Sequence, residues 1–363
     1  MASFQKRGKT WQYTISAKPK PIRKGGFKTK KEAQVAAAEV EANLQKGIVP
    51  HLKKEPFDEY FKEWIKVYKT NISEVTLKRY HDTLQTIITY FEGKPIQEIS
   101  KREYQAFLNE YGKNHAKEST RKLNTHIRAC VRNAIEEGII RIDFTREAVL
   151  TGSIEAKRPE EKYLNYFESK RLMKELYNRL DRSIGYYLLL LGLTSGMRFA
   201  EMVGLTRNDF DFNTNEIRIN KTWDYKTGKG FAKTKNDPSN RIISMDSKTM
   251  QCFEKLFKTL PNNIHDLVFF SPSNENKVIT NAFANKILRK TLTELNIDPI
   301  TVHGLRHTHA SVLLYRKISV YYVSERLGHS GIDTTQKYYA HIIKELREED
   351  TKNTLKTFEQ MIV

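Results

Sequence analysis

Apolar residues recur every three or four positions through residues 57–135, and this periodicity constrains the fold more than any other feature of the chain. Four such stretches follow one another, and they begin near Phe57, Leu77, Tyr104 and Leu123. Spacing of this kind gives each helix one apolar face, which must be buried against a neighbour. The sequence therefore predicts a compact bundle of four helices within residues 55–150.

Short polar signals mark the ends of these helices. Ser100 and Glu103 have the spacing of a capping box at the start of the third helix, and Gly138 is predicted to end the fourth, which begins at Ser119. The last helix carries basic residues at its predicted outer positions, which are Lys117, Arg121, Lys122, Arg128 and Arg132. This basic face either contacts phosphate groups or is simply solvated.

The first 31 residues include ten basic residues and no acidic one. Residues 11–15 alternate like a strand, the Gly25-Gly26 pair predicts a tight turn, and residues 31–44 have the composition of a helix. We therefore predict a small β-sheet with one helix over residues 1–50. Its mixture of basic and aromatic residues favours contact with a DNA backbone, and a solvated basic tail is the alternative.

A polar segment with almost no apolar residues, 151–162, is predicted to be a linker. Residues 163–345 alternate helical stretches with one β-rich patch at 216–245, and the tail at 346–363 is helix-prone. The tail is expected to pack either on its own domain or on a neighbouring copy. The predicted fold class is mainly α with small β elements: a sheet-and-helix module, a helical bundle, and a mostly helical domain with a β-hairpin patch.

The formal net charge of +19 points to a polyanionic partner, and an apolar content of 39% excludes a disordered polycation. The two cysteines, Cys130 and Cys252, provide no disulfide framework, so a reducing compartment is expected. The longest apolar run, residues 184–193, is too short to span a membrane. We expect a cytoplasmic or nucleoid-associated protein that has no membrane partner.

Groups that bind phosphate oxygens are concentrated in three short segments. These are Thr194-Ser-Gly-Met-Arg-Phe-Ala-Glu201, His303-Gly-Leu-Arg-His-Thr-His309, and Leu327-Gly-His-Ser330 with the two tyrosines that follow it. Each has an ordinary interpretation on its own. Arg198 has the spacing of a surface ion pair with Glu201, His303 and His307 have the spacing of a zinc pair, and residues 319–336 scan as a helix-turn-helix.

Taken together, Arg198, His303, Arg306, His329 and a following tyrosine resemble the tyrosine recombinases, the phage-type integrase family. The resemblance implies that residues 163–345 form the catalytic domain, 55–150 a core-binding domain and 1–50 an arm-binding module. It also implies that Tyr338, nine residues beyond His329, is the nucleophile, with Tyr339 as the alternative. Lys233 matches the lysine of the family's β-hairpin, and Lys235 is the other candidate.

The chemistry implied by these residue types follows from the properties of a phosphodiester. Two guanidinium groups neutralise the charge that develops on the phosphoryl oxygens, and a tyrosine hydroxyl needs a base because its reference pKa is near 10. His303 is placed to take that proton, His329 to hydrogen-bond the phosphate, and a hairpin lysine to protonate the leaving 5′-oxygen. Neither a metal nor another cofactor is expected.

The sequence thus favours a site-specific DNA recombinase that integrates and excises a mobile element through a covalent 3′-phosphotyrosyl intermediate. The competing functions are a non-catalytic DNA-binding regulator and a phosphodiesterase or relaxing enzyme that lacks exchange between two sites. The resemblance implies double-stranded DNA attachment sites as substrate and a homotetramer on DNA. It also suggests a DNA-bending host factor and an excision factor as partners.

Overall fold

The computed structural model describes residues 2–17, 21–45, 54–155, 158–336, 354 and 359–360. The chain divides into two compact units, Met1–Ala156 and Lys157–Val363. Helices predominate and the sheets are small and antiparallel, which confirms the predicted fold class.

The N-terminal segment of the first unit is a three-stranded sheet beside one helix. Its elements are β1 (Ala2–Arg7), β2 (Thr10–Ile15), β3 (Ile22–Phe27) and α1 (Lys30–Gln45). Alternate residues of β2, Tyr13 and Ile15, are buried with Ala37 of the helix, whereas the other face of the strands is polar. This two-residue alternation is what the sequence pattern predicted for a strand with one buried face.

The tight turn predicted at Gly25 and Gly26 is wrong, because both glycines lie inside β3. The register between β2 and β3 shifts there: Trp11 is opposite Phe27, whereas Gln12 is opposite Gly25. Gly26, with φ of +96°, is the extra residue of this β-bulge. A side chain would strain that conformation. Glycine is therefore needed at this position, but it forms a bulge within a strand and not a turn between two strands.

The rest of the first unit is the predicted four-helix arrangement. The helices are α2 (Phe57–Tyr68), α3 (Glu74–Phe91), α4 (Lys101–Gly112) and α5 (Lys117–Glu136). Phe57 is fully buried and makes edge-to-face contacts with Phe61, Phe91 and Phe144. At the start of α4, the Ser100 hydroxyl accepts a hydrogen bond from the Glu103 backbone N–H, while the Glu103 carboxylate accepts from Lys94 at 2.8 Å.

The second unit surrounds one buried helix, α7. Its helices are α6 (Tyr166–Asn178), α7 (Ile184–Ser195), α8 (Phe199–Val203), α9 (Ser247–Thr259), α10 (Asn281–Glu294), α11 (Val302–Tyr315) and α12 (Val320–Leu327). Residues 188–193 of α7 are all buried, and α6, α10 and α11 pack around it. This explains why the 184–193 run is apolar on every side although it is short.

The β-rich patch forms two small sheets. The strands are β4 (Phe210–Asp211), β5 (Glu216–Ile219), β6 (Thr222–Trp223), β7 (Phe231–Ala232) and β8 (Arg241–Ser244). β5 lies between β4 and β8, and β6 pairs with β7 as a separate hairpin. In the part of the chain that the structure describes, no helix is both long and apolar enough to cross a bilayer.

Candidate active site

Arg198 follows a turn that requires glycine. α7 ends at Ser195, and Gly196 adopts a left-handed conformation with φ of +69°. A Cβ at Gly196 would lie 2.7 Å from the ring of His309, so a larger residue would both strain the turn and collide with α11. The turn delivers Arg198 to the N-cap position of α8.

Arg198 is half-buried and fixed by three side-chain hydrogen bonds. Its Nη1 donates to Glu201 Oε1 at 2.7 Å and to Ser239 Oγ at 3.1 Å, and its Nη2 donates to the Gly328 carbonyl at 3.1 Å. A guanidinium has five N–H donors. Among contacts with described residues, the Nε–H and one Nη2–H therefore remain available for an anionic ligand.

Glu201 is a buried carboxylate rather than half of a surface ion pair, since the residue is only 1% exposed. It binds Arg198, and its Oε2 accepts from Arg241 Nη2 at 3.1 Å. Burial by itself would raise the pKa of Glu201, but the charges of Arg241 and Arg198 outweigh this and hold the pKa below its ordinary value. The predicted pair of Arg198 with Glu201 is therefore present, but its carboxylate is buried, so it is not an ordinary surface ion pair.

Arg306 lies on α11, where it is 4% exposed, and its Nη1 donates to the Gly196 carbonyl at 2.8 Å. This bond joins two segments separated by more than 100 residues of sequence. The turn that presents Arg198 is thus also held by Arg306, and both guanidinium groups belong to one site.

His303 and His329 lie in the field of these two arginines. Burial, Arg306 and Arg198 lower the pKa of His303. Burial, followed by the same two arginines, lowers the pKa of His329 to about 3. Both imidazoles are therefore neutral at neutral pH. His329 follows Gly328, whose φ of +66° ends α12, and its Nδ1 lies 2.7 Å from the hydroxyl of Thr335.

The histidine pair considered for zinc is part of the same cluster. The rings of His303 and His307 meet edge to face at 4.9 Å, and burial with the charges of His303 and Arg306 lowers the pKa of His307 to about 4. Within the described ranges, no third His, Cys, Asp or Glu joins this pair to form a group suited to holding a metal ion.

His309 has a structural role between helices. Its Nδ1 lies 2.9 Å from the Leu193 carbonyl, and its Nε2 lies 3.0 Å from Arg326 Nε. Because the carbonyl can only accept and the guanidinium can only donate, Nδ1 carries the proton and the ring is neutral. Burial and then the Arg326 charge lower the pKa of His309 to about 3.

This arrangement predicts that acid destabilises the second unit. Above pH 6.5 His309 is neutral in both the folded and unfolded chain, but below it only the unfolded chain binds a proton until the folded pKa near 3 is reached. Between these values His309 should contribute a slope of about 1.4 kcal/mol per pH unit to the free energy of unfolding. Urea unfolding measured from pH 7 to pH 4.5 should show this slope reduced by that amount in His309→Gln, and an unchanged slope would contradict the assignment.

The remaining predicted site residues are the two candidate lysines and the two candidate tyrosines. Lys233 and Lys235 are both exposed and lie in the segment between β7 and β8, where the Lys233 carbonyl accepts a hydrogen bond from the Thr222 hydroxyl at 3.2 Å. Tyr338 and Tyr339 lie outside the described residues, as does most of the tail at 346–363. The segment scanned as a helix-turn-helix forms α12, the Gly328 turn and helical residues 332–336, so its turn carries His329 of the cluster.

Sequence reasoning missed Arg241, which has only 7% of its side chain exposed. A signal was present in the strand pattern. Arg241 and Ile243 occupy alternate positions of β8, and Ile243 is a core residue. The two-residue period places the arginine on the inward face, where a charge needs a partner.

Three family models match successive parts of the chain. The phage integrase family model matches residues 162–345, a phage integrase N-terminal SAM-like domain matches 56–112, and an arm DNA-binding domain matches 3–44. The first of these matches covers more than half of the chain.

Relatives include integrases of mobile elements. The chain is 25% identical over 331 residues to the integrase of Staphylococcus phage L54a, covering 82% of this chain and 92% of that protein. It is 26% identical over 343 residues to the ICEBs1 integrase of Bacillus subtilis, covering 86% of each.

Solved structures share the fold. The Tn1549 transposon integrase in complex with transposon right end DNA superposes with a TM-score of 0.67 at 19% identity, covering 82% of this chain and 99% of that one. A lambda integrase dimer bound to a COC′ core site gives 0.60 at 16% identity, covering 90% and 91%.

Proposed function

Because the chain belongs to the phage integrase family of tyrosine-type site-specific DNA recombinases, we propose that Arg198 and Arg306 bind the scissile phosphate and that Tyr338 attacks it. The observation that supports this most directly is the shared turn at Gly196, which presents Arg198 and is held by Arg306. Two guanidinium groups so fixed can neutralise a phosphoryl group without reorganising during the reaction.

The proposed cleavage step transfers one phosphoryl group and two protons. The Tyr338 oxygen forms a bond to phosphorus as the bond to the 5′-oxygen breaks, and His303 accepts the tyrosine proton. The lowered pKa of His303 supports this role, since a neutral imidazole has a lone pair to accept the proton. Lys233 protonates the leaving 5′-oxygen, with Lys235 as the alternative, and neutral His329 hydrogen-bonds the phosphate.

The phosphotyrosyl bond keeps the energy of the broken phosphodiester, so the strand can be joined to a different 5′-hydroxyl without another energy source. This distinguishes recombination from hydrolysis, in which water would take that position. The reverse step uses the same groups in their opposite protonation states. Integration and excision of a mobile element are then the same chemistry on different pairs of sites.

For the whole chain we propose double-stranded attachment-site DNA as substrate, bound by a homotetramer in the cytoplasm of a bacterial host. The proposed division is 1–50 for arm sites, 55–150 for core sites, 151–162 as linker, 163–345 for catalysis and 346–363 as tail. The net charge of +19 supports contact with DNA, and the ten basic residues among the first 31 support such contact by the N-terminal segment as well. A DNA-bending host factor and an excision factor are further proposed partners.

The test is a nicked suicide substrate that carries the attachment core, incubated with the full-length protein in the presence of EDTA. We expect a protein–DNA adduct that survives denaturation, because loss of the short 5′ fragment prevents rejoining. Absence of any adduct on a substrate that the protein binds would contradict the proposed function and favour a non-catalytic regulator.

A second duplex with a free 5′-hydroxyl tests strand exchange in the same reaction. We expect the adduct to decay as a joined recombinant strand appears. If the adduct is instead released only by water, as a 3′-phosphate, the protein is a phosphodiesterase rather than a recombinase.

A further inference from the structure

We propose that Arg241 is a positioning residue for strand cleavage, which acts through Glu201 and the end of α12 to hold Arg198 in its phosphate-binding orientation. The inference rests on the function proposed above, because it assumes that Arg198 binds the scissile phosphate. Arg241 does not contact the reacting atoms in this assignment.

The first path from Arg241 to Arg198 is the buried Glu201 carboxylate. Its Oε1 accepts from Arg198 Nη1 at 2.7 Å, while its Oε2 accepts from Arg241 Nη2 at 3.1 Å and from the Arg198 backbone N–H at 2.9 Å. Arg241 Nη1 also approaches Oε1, at 3.5 Å, so the carboxylate is shared between the two arginines. The carboxylate therefore binds Nη1 and the backbone N–H of Arg198, and it does not form a two-bond pair with both Nη groups.

The second path runs through the turn after α12. Arg241 Nε donates to the Arg326 carbonyl at 2.7 Å, and its Nη1 donates to the Ser239 carbonyl at 2.8 Å. The Gly328 carbonyl and the Ser239 hydroxyl are themselves acceptors for Arg198. Arg241 therefore binds the same two backbone segments that orient the Arg198 side chain.

The space around Arg241 is closed by Gly328. A Cβ at Gly328 would lie 2.9 Å from Arg241 Nη1, and Gly328 also needs its left-handed conformation to end α12. The glycine beside His329 thus serves the buried guanidinium as well as the turn.

Removal of Arg241 should misdirect Arg198 rather than simply loosen it. Glu201 Oε2 would lose a charged donor in a buried site, and the nearest remaining cation is Arg198. The parallel two-bond geometry of an arginine–carboxylate pair would then draw both Arg198 Nη groups to Glu201. That arrangement gives up the Gly328 contact and neutralises the charge that the phosphate needs.

The experiment measures single-turnover cleavage of the suicide substrate by full-length Arg241→Met, Arg241→Lys and Arg198→Ala, with DNA affinity and thermal melting of each. Arg218→Met is the matched control, because Arg218 is an exposed arginine on the adjoining strand, opposite Ile242. We expect Arg241→Met to cut about 10- to 100-fold more slowly than wild type while binding DNA normally. The control should cut at the wild-type rate.

A second substrate carries a neutral methylphosphonate at the scissile position. It lacks one charged oxygen, so it depends less on a cation at Arg198. If Arg241 acts through Arg198, both Arg241→Met and Arg198→Ala should show a smaller defect on this substrate than on the phosphate. An Arg241→Met defect of equal size on both substrates, or a wild-type rate on the phosphate, would overturn the proposal.

Arg241→Lys serves if the methionine variant does not fold. A lysine keeps the charge beside Glu201 but cannot bind Glu201, Arg326 and Ser239 together. We expect Arg241→Lys to melt near the wild-type temperature and to cleave the phosphate substrate about tenfold more slowly, with a smaller loss of rate on the methylphosphonate. An unchanged cleavage rate on the phosphate substrate, or an equal loss of rate on both substrates, would refute the positioning role. No adduct from wild type would instead refute the function itself.

Discussion

Tyr338→Phe should abolish covalent adduct formation, with a loss of at least about 10⁴-fold in cleavage rate. The substitution removes only the oxygen that is proposed to attack phosphorus. DNA affinity should stay close to wild type, because the charged groups that contact phosphate are retained. The measurement is the amount of denaturation-resistant adduct on the suicide substrate over time.

Tyr339→Phe is the matched control for this result, since it removes the same oxygen one residue further along the chain. It should form adduct at a rate near that of wild type. If adduct persists in Tyr338→Phe and disappears in Tyr339→Phe, the nucleophile is Tyr339. If both single variants and the double variant still form adduct, neither tyrosine is the nucleophile.

Arg306→Ala should lower the single-turnover cleavage rate by about 10²- to 10³-fold or more. Arg306 is a nearly fully buried cation whose Nη1 also holds the Gly196 carbonyl, so its removal takes charge from the phosphate and loosens the turn that carries Arg198. Arg306→Lys keeps a positive charge but loses the two-pronged geometry of the guanidinium, so its cleavage rate should lie between those of Arg306→Ala and wild type. Rates are measured at saturating protein, so that weaker binding is not counted as slower chemistry.

Arg316→Ala provides the control for loss of an arginine on the same helix. Arg316 caps the C-terminal end of α11, is exposed, and lies over the ring of Tyr166. It should cut within a few-fold of wild type. Equal losses in the two alanine variants would mean that Arg306 contributes only general positive charge, and the phosphate-clamping role would be withdrawn.

Local sequence patterns were sufficient to predict the helices of the first unit and one of its strands. The helices at Phe57–Tyr68 and Glu74–Phe91 follow from a period of three to four residues, and the strand at Thr10–Ile15 from a period of two. These signals are local because each element needs only that its own buried positions be apolar. The Gly25-Gly26 pair shows the limit: glycine reveals that an unusual backbone conformation is needed, but not whether it forms a turn or a bulge.

The candidate site was predicted in its main residues because the spacing of Arg198, His303, Arg306 and His329 matches a family pattern. Two things were beyond that pattern. It gave no role to Arg241, whose partners include Glu201 and Arg326 from two other segments of the chain, and it gave no partners to His309. Their hydrogen bonds join residues distant in sequence, so no local spacing predicts them.

Local sequence patterns predicted the helical bundle, the sheet-and-helix module, the strong positive charge and the residue types available for phosphoryl transfer. Which cations share a carboxylate, which histidines are held neutral and which glycine leaves room for a buried guanidinium became clear only from the folded structure. The physical reason is that periodicity and charge are properties of neighbouring residues. Burial and hydrogen-bond partnership depend instead on how α7, α11, α12 and β8 pack, and that is fixed only when the whole second unit folds.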